Sequence, residues 1–230
     1  FIGPSADSMN LCGDKMRCKE AMLKAKVPTV PGSPDLVKDA DEAEKLANEI
    51  GYPVMLKSVY GGGGRGIRIV TTDQELRDAY ETVTAESMAA VGKSAIIVEK
   101  FLEKTRHIEY QMCRDHHGNA VHLFERECSI QRRNQKLIEQ TPSPVVDKAK
   151  REEIGELVVK AAEAVDYTNL GTAEFLRADN GEFYFIEINA RLQVEHPISE
   201  MVSGLDFVKL QLDIANGEPL PFKQSDLKMN

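Results

Sequence analysis

Residues Glu174–Pro197 read EFLRADNGEFYFIEINARLQVEHP, and the fold turns on how this stretch pairs with itself. Apolar and aromatic residues flank Asn180-Gly181, the strongest short signal for a β-hairpin turn. A two-residue loop at Asn180-Gly181 sets Asp179 against Glu182, and counting outward sets Glu174 against Glu187. Residues two apart on a strand share a face, so Asn189 lies beside Glu187. Opposed carboxylates repel, so the pattern asks for a cation between them. Two carboxylates and an amide oxygen are hard ligands, suited to Mg²⁺ shared with phosphates rather than to a soft metal. The plain alternative is an exposed hairpin carrying solvated acids. An extra residue in the loop would shift the register by one and spoil the pairing.

Directly after the proposed metal strand, Arg191 can grip an oxyanion with two parallel hydrogen bonds, and Glu195 stands close enough in sequence to act as a base. His196, before a proline, is either packed or catalytic. Ser129–Lys136 (SIQRRNQK) gathers three cations in an acidic chain. It is either a solvated loop or an anion site with Lys136 facing a small oxyanion. Acids for metal, Arg191 for an anion and a spare Glu195 form the parts needed for phosphoryl transfer.

Lys57 ends an apolar strand, where a charge is expensive unless it meets a phosphate or an acid. It leads into Gly61–Gly66 (GGGGRG). That segment fits the glycine spacing of a dinucleotide fingerprint, but a strand-like GIRIVTT follows where the fingerprint requires a helix. The Gly-Lys-Ser/Thr of a P-loop is also missing. The remaining readings are a flexible hairpin or a glycine flap whose amides close over phosphates.

The chain has 230 residues, enough for a sizeable core in one domain or two small lobes. A net charge of −8 argues against nucleic acid and anionic membranes as partners. No apolar run approaches the roughly 18 residues that a spanning helix needs. The cysteines Cys12, Cys18, Cys113 and Cys128 form no C-x-x-C pair, and reduced thiols in a cytoplasmic protein are expected. The first residue is Phe1, and the expectation is of a piece of a longer polypeptide.

Helices are predicted over 13–25, 39–50 with an αL cap at Gly51, 72–91 from the capping box Thr72-x-x-Glu75, 148–166 and 205–216. Strands are predicted over 53–59, 66–71, 95–100, 106–114 and 120–127, besides the hairpin. Irregular alternation with antiparallel hairpins favours an α+β fold. Val27–Pro34 is proline-rich and marks a hinge before a unit of about 70 residues.

GDK at 13–15, the GGGGRG flap, EKFLE at 99–103, RHIE at 106–109, ERECSIQRRNQK at 125–136 and FIEINARLQVEHP at 185–197 together resemble biotin carboxylase, in order and along the whole chain. The resemblance implies an ATP-grasp fold, α+β, with two lobes clasping ATP and the smaller lobe a mobile lid. It implies a lead-in over 1–29, the lid over 30–101 and a core over 102–230, with further lobes of the parent enzyme outside the chain. By resemblance Lys15 and Lys57 contact phosphates beneath Gly63 and Gly64. Glu99, Lys100, Phe101 and Leu102 form the strand that meets adenine, and His107 lies near the ribose. Glu174, Glu187 and Asn189 hold Mg²⁺ or Mn²⁺. Lys136, Arg191, Gln193 and Val194 surround bicarbonate, with Glu195 as its base. Asn134 stands where the family usually has His, so a nucleotide contact there is altered. The implied reaction activates bicarbonate through carboxyphosphate and carboxylates biotin on a carrier protein. A carboxyltransferase and a homo-oligomeric parent enzyme are the implied partners. Two alternatives remain: a fragment that binds Mg-ATP without complete activity, and another bicarbonate-phosphorylating ligase such as a carbamoyl-phosphate synthetase half.

Overall fold

The computed structural model describes residues 1–59, 66–133 and 135–230. Two compact units make up the chain, one of Phe1–Thr29 with Thr105–Asn230 and one of Val30–Lys104.

The larger unit begins with two helices, the first not anticipated and the second answering to the helix predicted over 13–25. Helix α1 (Ala6–Gly13) starts where Ser5 accepts the amide of Ser8, and buries only Ser8 and Cys12. Helix α2 (Lys15–Lys24) starts at Asp14, whose carboxylate accepts the amides of Met16 and Arg17, and buries Cys18 and Met22. Four-residue spacing in each case puts one narrow stripe against the core.

In the smaller unit, α3 (Ala40–Ile50) is capped by Asp39. Gly51 closes it at φ 83° and ψ 135°, so the expected left-handed α cap is instead an extended exit that only the sign of φ reserves for glycine. Strands β1 (Val54–Ser58) and β2 (Ile67–Val70) are antiparallel. Helix α4 (Asp73–Val91) starts at Thr72, and Glu75 turns back to the amide and hydroxyl of Thr71 rather than to Thr72. With β3 (Ile96–Lys100) the sheet order is β2-β1-β3, and its buried face meets Ala43, Ala47, Leu76 and Val83 of the two helices.

The rest of the larger unit is a five-stranded antiparallel sheet, order β6-β5-β4-β7-β8. Its strands are β4 (Arg106–Arg114), β5 (Ala120–Arg132) and β6 (Gln135–Gln140), then, after helix α5 (Lys148–Ala164), β7 (Asn169–Arg177) and β8 (Phe183–Asn189). Helices α6 (His196–Ser203) and α7 (Phe207–Ala215) follow. Strand β5 outruns its predicted end at Glu127, so most of the cationic segment is strand rather than loop, with Arg132 and Arg133 exposed and Lys136 half-buried. Strand β6 and helix α6 were not anticipated. Pro197, read only as a constraint on His196, lies in the first turn of α6, where a missing N–H costs nothing.

Alternation sorts the sheet faces. Ile108, Tyr110, Met112, Ala173 and Phe175 point to the core beneath α1, α2 and α5. Cys113, Leu123 and Leu170 turn the other way, to Phe207, Leu210 and Ile214 of α7. The β7–β8 turn departs from expectation. Ala178 accepts the amide of Gly181 and donates to Glu182, which makes the loop Asp179-Asn180-Gly181, with Gly181 at φ 88°. That extra residue shifts the register to Arg177↔Phe183, but a second irregularity at Ile186 absorbs one residue and restores Glu174↔Glu187.

Candidate functional site

One row of charge crosses the face of the large sheet away from α5. Arg126 opposes Glu109, Glu109 opposes Glu174, and Glu174 opposes Glu187, from β5 through β4 and β7 to β8. Two bulges hold the row together. Strict alternation from Leu123 would send Arg126 to the α5 face, but Phe124, at φ 68°, takes up an extra residue and turns it back. Glu109 and Arg126 are wholly buried, and Glu174 nearly so.

Lys136, from β6, reaches into this row. A lysine ammonium has three donors, and here they meet three carboxylates: Glu109, Glu174 at 2.9 Å and Glu195 at 3.0 Å. Glu174 Oε1 also accepts from the side-chain amides of Asn189 at 2.8 Å and Gln193 at 3.2 Å. Its Oε2 lies 2.7 Å from His107 Nε2. The Gln131 amide donates to the Cys128 carbonyl at 2.8 Å, which turns its NH₂ group toward His107 Nδ1, 2.9 Å away. His107 therefore accepts at Nδ1 and donates from Nε2 to Glu174.

Burial works to raise the Glu174 carboxyl, but the hydrogen bond from His107 and the Lys136 ammonium outweigh it and hold it well below the usual range. Glu195 is lowered too, because its own backbone amide, Lys136 and Arg126 together overcome burial. Lys136 is raised: desolvation opposes its charge, and Glu109 with Glu174 more than compensates. Three carboxylates face two cations, Lys136 and Arg126, so the cluster is left acidic before Glu187 is added. His107, Glu109 and Glu174 bring ligand atoms within 4.8 Å of one another, as do Glu109, Cys128 and Glu195. Sulfur from Cys128 is a soft donor, whereas Glu174, Glu187 opposite it and Asn189 beside them offer oxygens of the hard kind that Mg²⁺ takes.

The expected site residues fall into several groups. Glu174, Asn189, Gln193, Glu195, Lys136 and His107 are brought together. Glu187 lies opposite Glu174 and, with Lys15, Cys18 and Asn189, lines a cavity of about 170 Å³. Arg191 is exposed, its guanidinium 3.4 Å from the Leu192 carbonyl, and Val194 is 90 % exposed, so neither side chain joins the cluster. In the smaller unit Lys57 is half-buried and meets the acid that its position required, Glu99, at 2.6 Å. The amides of Lys100 and Phe101 are spent on the Pro31 and Pro53 carbonyls, the Lys100 ammonium binds the Gly51 and Tyr52 carbonyls, and half-buried Leu102 follows β3. Gly63, Gly64 and Asn134 lie outside the described residues.

Glu109, Gln111, Arg126, Thr172 and Ser199 had no place in the expected site. A signal was present: His107, Glu109 and Gln111 alternate with Ile108, Tyr110 and Met112, and a polar face that regular beside a core face asks for a purpose.

A family described as "Carbamoyl-phosphate synthase L chain, ATP binding domain" matches residues 14–223. The 2-oxoglutarate carboxylase small subunit of Hydrogenobacter thermophilus is 51 % identical over 230 residues, all of this chain and 49 % of that protein. The biotin carboxylase of a Nostoc species is 50 % identical over 227 residues, 99 % of this chain and 51 % of that one. The chain thus spans about half the length of these relatives. Among solved structures, the biotin carboxylase domain dimer of the Hydrogenobacter enzyme, in complex with MgADP, ADP and bicarbonate, matches with a TM-score of 0.92 at 51 % identity, over 100 % of this chain and 51 % of that one. Biotin carboxylase from Campylobacter jejuni in a β-γ-ATP complex matches with a TM-score of 0.92 at 48 % identity, again over 100 % and 51 %. The chain belongs to the carbamoyl-phosphate synthase L chain ATP-binding domain family, has an ATP-grasp fold, and is similar within that family to the ATP-binding part of biotin carboxylases.

Proposed function

We propose that this chain activates bicarbonate with ATP, through carboxyphosphate, for the carboxylation of biotin on a carrier protein. The observation that carries the reading is the Lys136 ammonium held by Glu109, Glu174 and Glu195 beside the segment Arg191–Pro197. Relatives near 50 % identity named biotin carboxylase favour it over a carbamoyl-phosphate synthetase half.

In this reading a bicarbonate oxygen attacks the γ-phosphorus of ATP, the bond to the ADP oxygen breaks, and carboxyphosphate forms. Glu174, Glu187 and Asn189 would hold Mg²⁺, or Mn²⁺ in its place, which would neutralise phosphate oxygens. Lys15 and Lys57 bind phosphates, while the Glu99–Leu102 strand and His107 receive adenine and ribose. Lys136, Arg191, Gln193 and the backbone at Val194 hold bicarbonate in line. Glu195 takes its proton. While Lys136 is bound to it, Glu195 is a poor base, because the ammonium stabilises the carboxylate. Movement of Lys136 onto the incoming anion restores that basicity, which ties proton removal to the presence of substrate. The unit Val30–Lys104 acts as the lid. A biotin carrier, a carboxyltransferase and a second subunit complete the parent enzyme, and four free cysteines suit a cytoplasmic protein.

The test is steady-state ADP release from the chain with and without bicarbonate and free biotin. Bicarbonate-dependent release that rises with biotin is expected. ADP release indifferent to both would sink the reading.

A further inference from the structure

We propose that Arg126 is the positioning residue of this site, the group that holds the bicarbonate side and the metal side in fixed relation. Nothing in its sequence setting, between Glu125 and Glu127, singles it out. Its side chain is wholly buried, and each of its five N–H donors has its own acceptor. Nε donates to Glu109 Oε1 at 2.6 Å. Nη1 donates to Gln111 Oε1 and Ser199 Oγ, each at 2.9 Å. Nη2 donates to Thr172 Oγ1 at 3.3 Å and Gln193 Oε1 at 3.0 Å.

Those acceptors come from β4, β7, the segment before α6, and α6 itself. Two of them act on the chemistry through one further bond. Glu109 presents its other oxygen to Lys136, and Gln193 presents its amide to Glu174. A planar guanidinium makes all five bonds in one plane, so it fixes Glu109 and Gln193 relative to each other, and through them Lys136 and Glu174. The backbone supports this placement at a cost. Phe124 occupies the left-handed region, unfavourable for a side chain of its size, and that bulge is what turns Arg126 onto the site face. Arg151, by contrast, lies on the other face, where Nε and Nη2 each donate to the buried Glu125 at 2.7 Å and Nη2 also donates to the Val146 carbonyl at 3.1 Å.

The inference rests on the bicarbonate-activating reading, and its test separates the two. Arg126→Lys keeps the charge and loses the fork, and Arg151→Lys is the structural control. In ADP-release assays Arg126→Lys should raise the KM for bicarbonate about tenfold, the effect of losing one charge-assisted bond. The KM for ATP should stay within about twofold. Arg151→Lys should lower thermal stability and leave both constants within about twofold. Ser199→Ala removes one neutral acceptor and should shift the bicarbonate KM two- to threefold, about the effect of a weak bond; it decides the matter if Arg126→Lys does not fold. Unchanged bicarbonate KM in the folded variants, or equal shifts in both constants, overturns the proposal. A wild-type chain without bicarbonate-dependent turnover counts against the functional reading alone. Hydrogen exchange without ligand then decides: faster exchange confined to 190–199 in Arg126→Lys or Ser199→Ala supports positioning, and exchange like that of Arg151→Lys overturns it.

Discussion

Lys136 offers three donors and the fold supplies three carboxylates, so every consequence at the scale of single residues runs through that match. Removing Glu195 takes away the proposed base but leaves Glu109 and Glu174 to hold the lysine. Glu195→Gln should therefore reduce bicarbonate-dependent ADP release by about a hundredfold or more, with the affinity for Mg-ATP by calorimetry within about twofold; equal losses in both would assign Glu195 to nucleotide binding instead. The same match sets a pH dependence. Glu174 and Glu195 both titrate below their usual range, so their contributions to stability are complete above an ordinary glutamate value of about 4.3 and fade as pH falls through the lower folded values. Wild-type melting temperature should drop as pH is lowered from about 5 toward 3. Lys136→Met should be less stable at neutral pH, where it leaves buried carboxylates unpaired, and should close on the wild type as acid neutralises them. A constant gap across that range would mean that Lys136 does not hold these carboxylates down. Glu174, Glu187, Asn189 and Glu195 were readable because hairpin pairing and local spacing bring them together, and Gln193 followed from the resemblance alone. Glu109 and Arg126 were not, since the bulge at Phe124 sets the face Arg126 takes and their other partners lie far along the chain.

Among the elements, bulges and close helix–sheet contacts decide more than propensity does. The loop Asp179-Asn180-Gly181 is one residue longer than the Asn-Gly signal implied, and the irregularity at Ile186 cancels the error, so Glu174 and Glu187 face each other for a reason that simple counting missed. The broken alternation of Phe185, Ile186, Glu187 and Ile188 is the trace of that bulge, because Phe185 and Ile188 both enter the core. Helix α5 shows packing overruling propensity. An alanine in place of Gly155 would raise helix propensity by about 1 kcal/mol, yet its Cβ would stand 2.2 Å from His122 Nε2. Overpacking of that kind costs about 1–3 kcal/mol, and a ring wedged between α5 and the sheet has little room to give. Gly155→Ala should therefore destabilise the chain in urea titration, and a gain in stability would show that His122 moves freely. Strand β4 was legible to the residue, because three polar and three apolar positions alternate without a break. Strand β6 was not, since its residues are mostly exposed and it is held by β5 rather than by a face of its own.

For the whole molecule, the division into two units rests on where apolar side chains find partners. The core of Val30–Lys104 draws on Val37, Ala43, Ala47, Val54, Leu56, Leu76, Val83 and Ile96, all from within that unit. A polypeptide of residues 30–104 should therefore fold alone and melt in one cooperative transition by circular dichroism. A broad or absent transition would show that it depends on the rest of the chain. The large sheet has no such local closure: α1 and α2 precede the inserted unit, yet they pack on β8 and α5 far along the chain. By itself the sequence determined the α+β class, the inner strands and long helices, and the acids of the β7–β8 hairpin, because each follows from periodicity or from neighbours a few residues away. Folding in three dimensions decided that Lys136 stands among three carboxylates, that Arg126 joins four separate segments, and that Arg191 stays exposed. Those outcomes depend on pairings across the sheet and on single extra residues at Phe124 and Ile186, which reverse a side chain's direction without changing any local pattern.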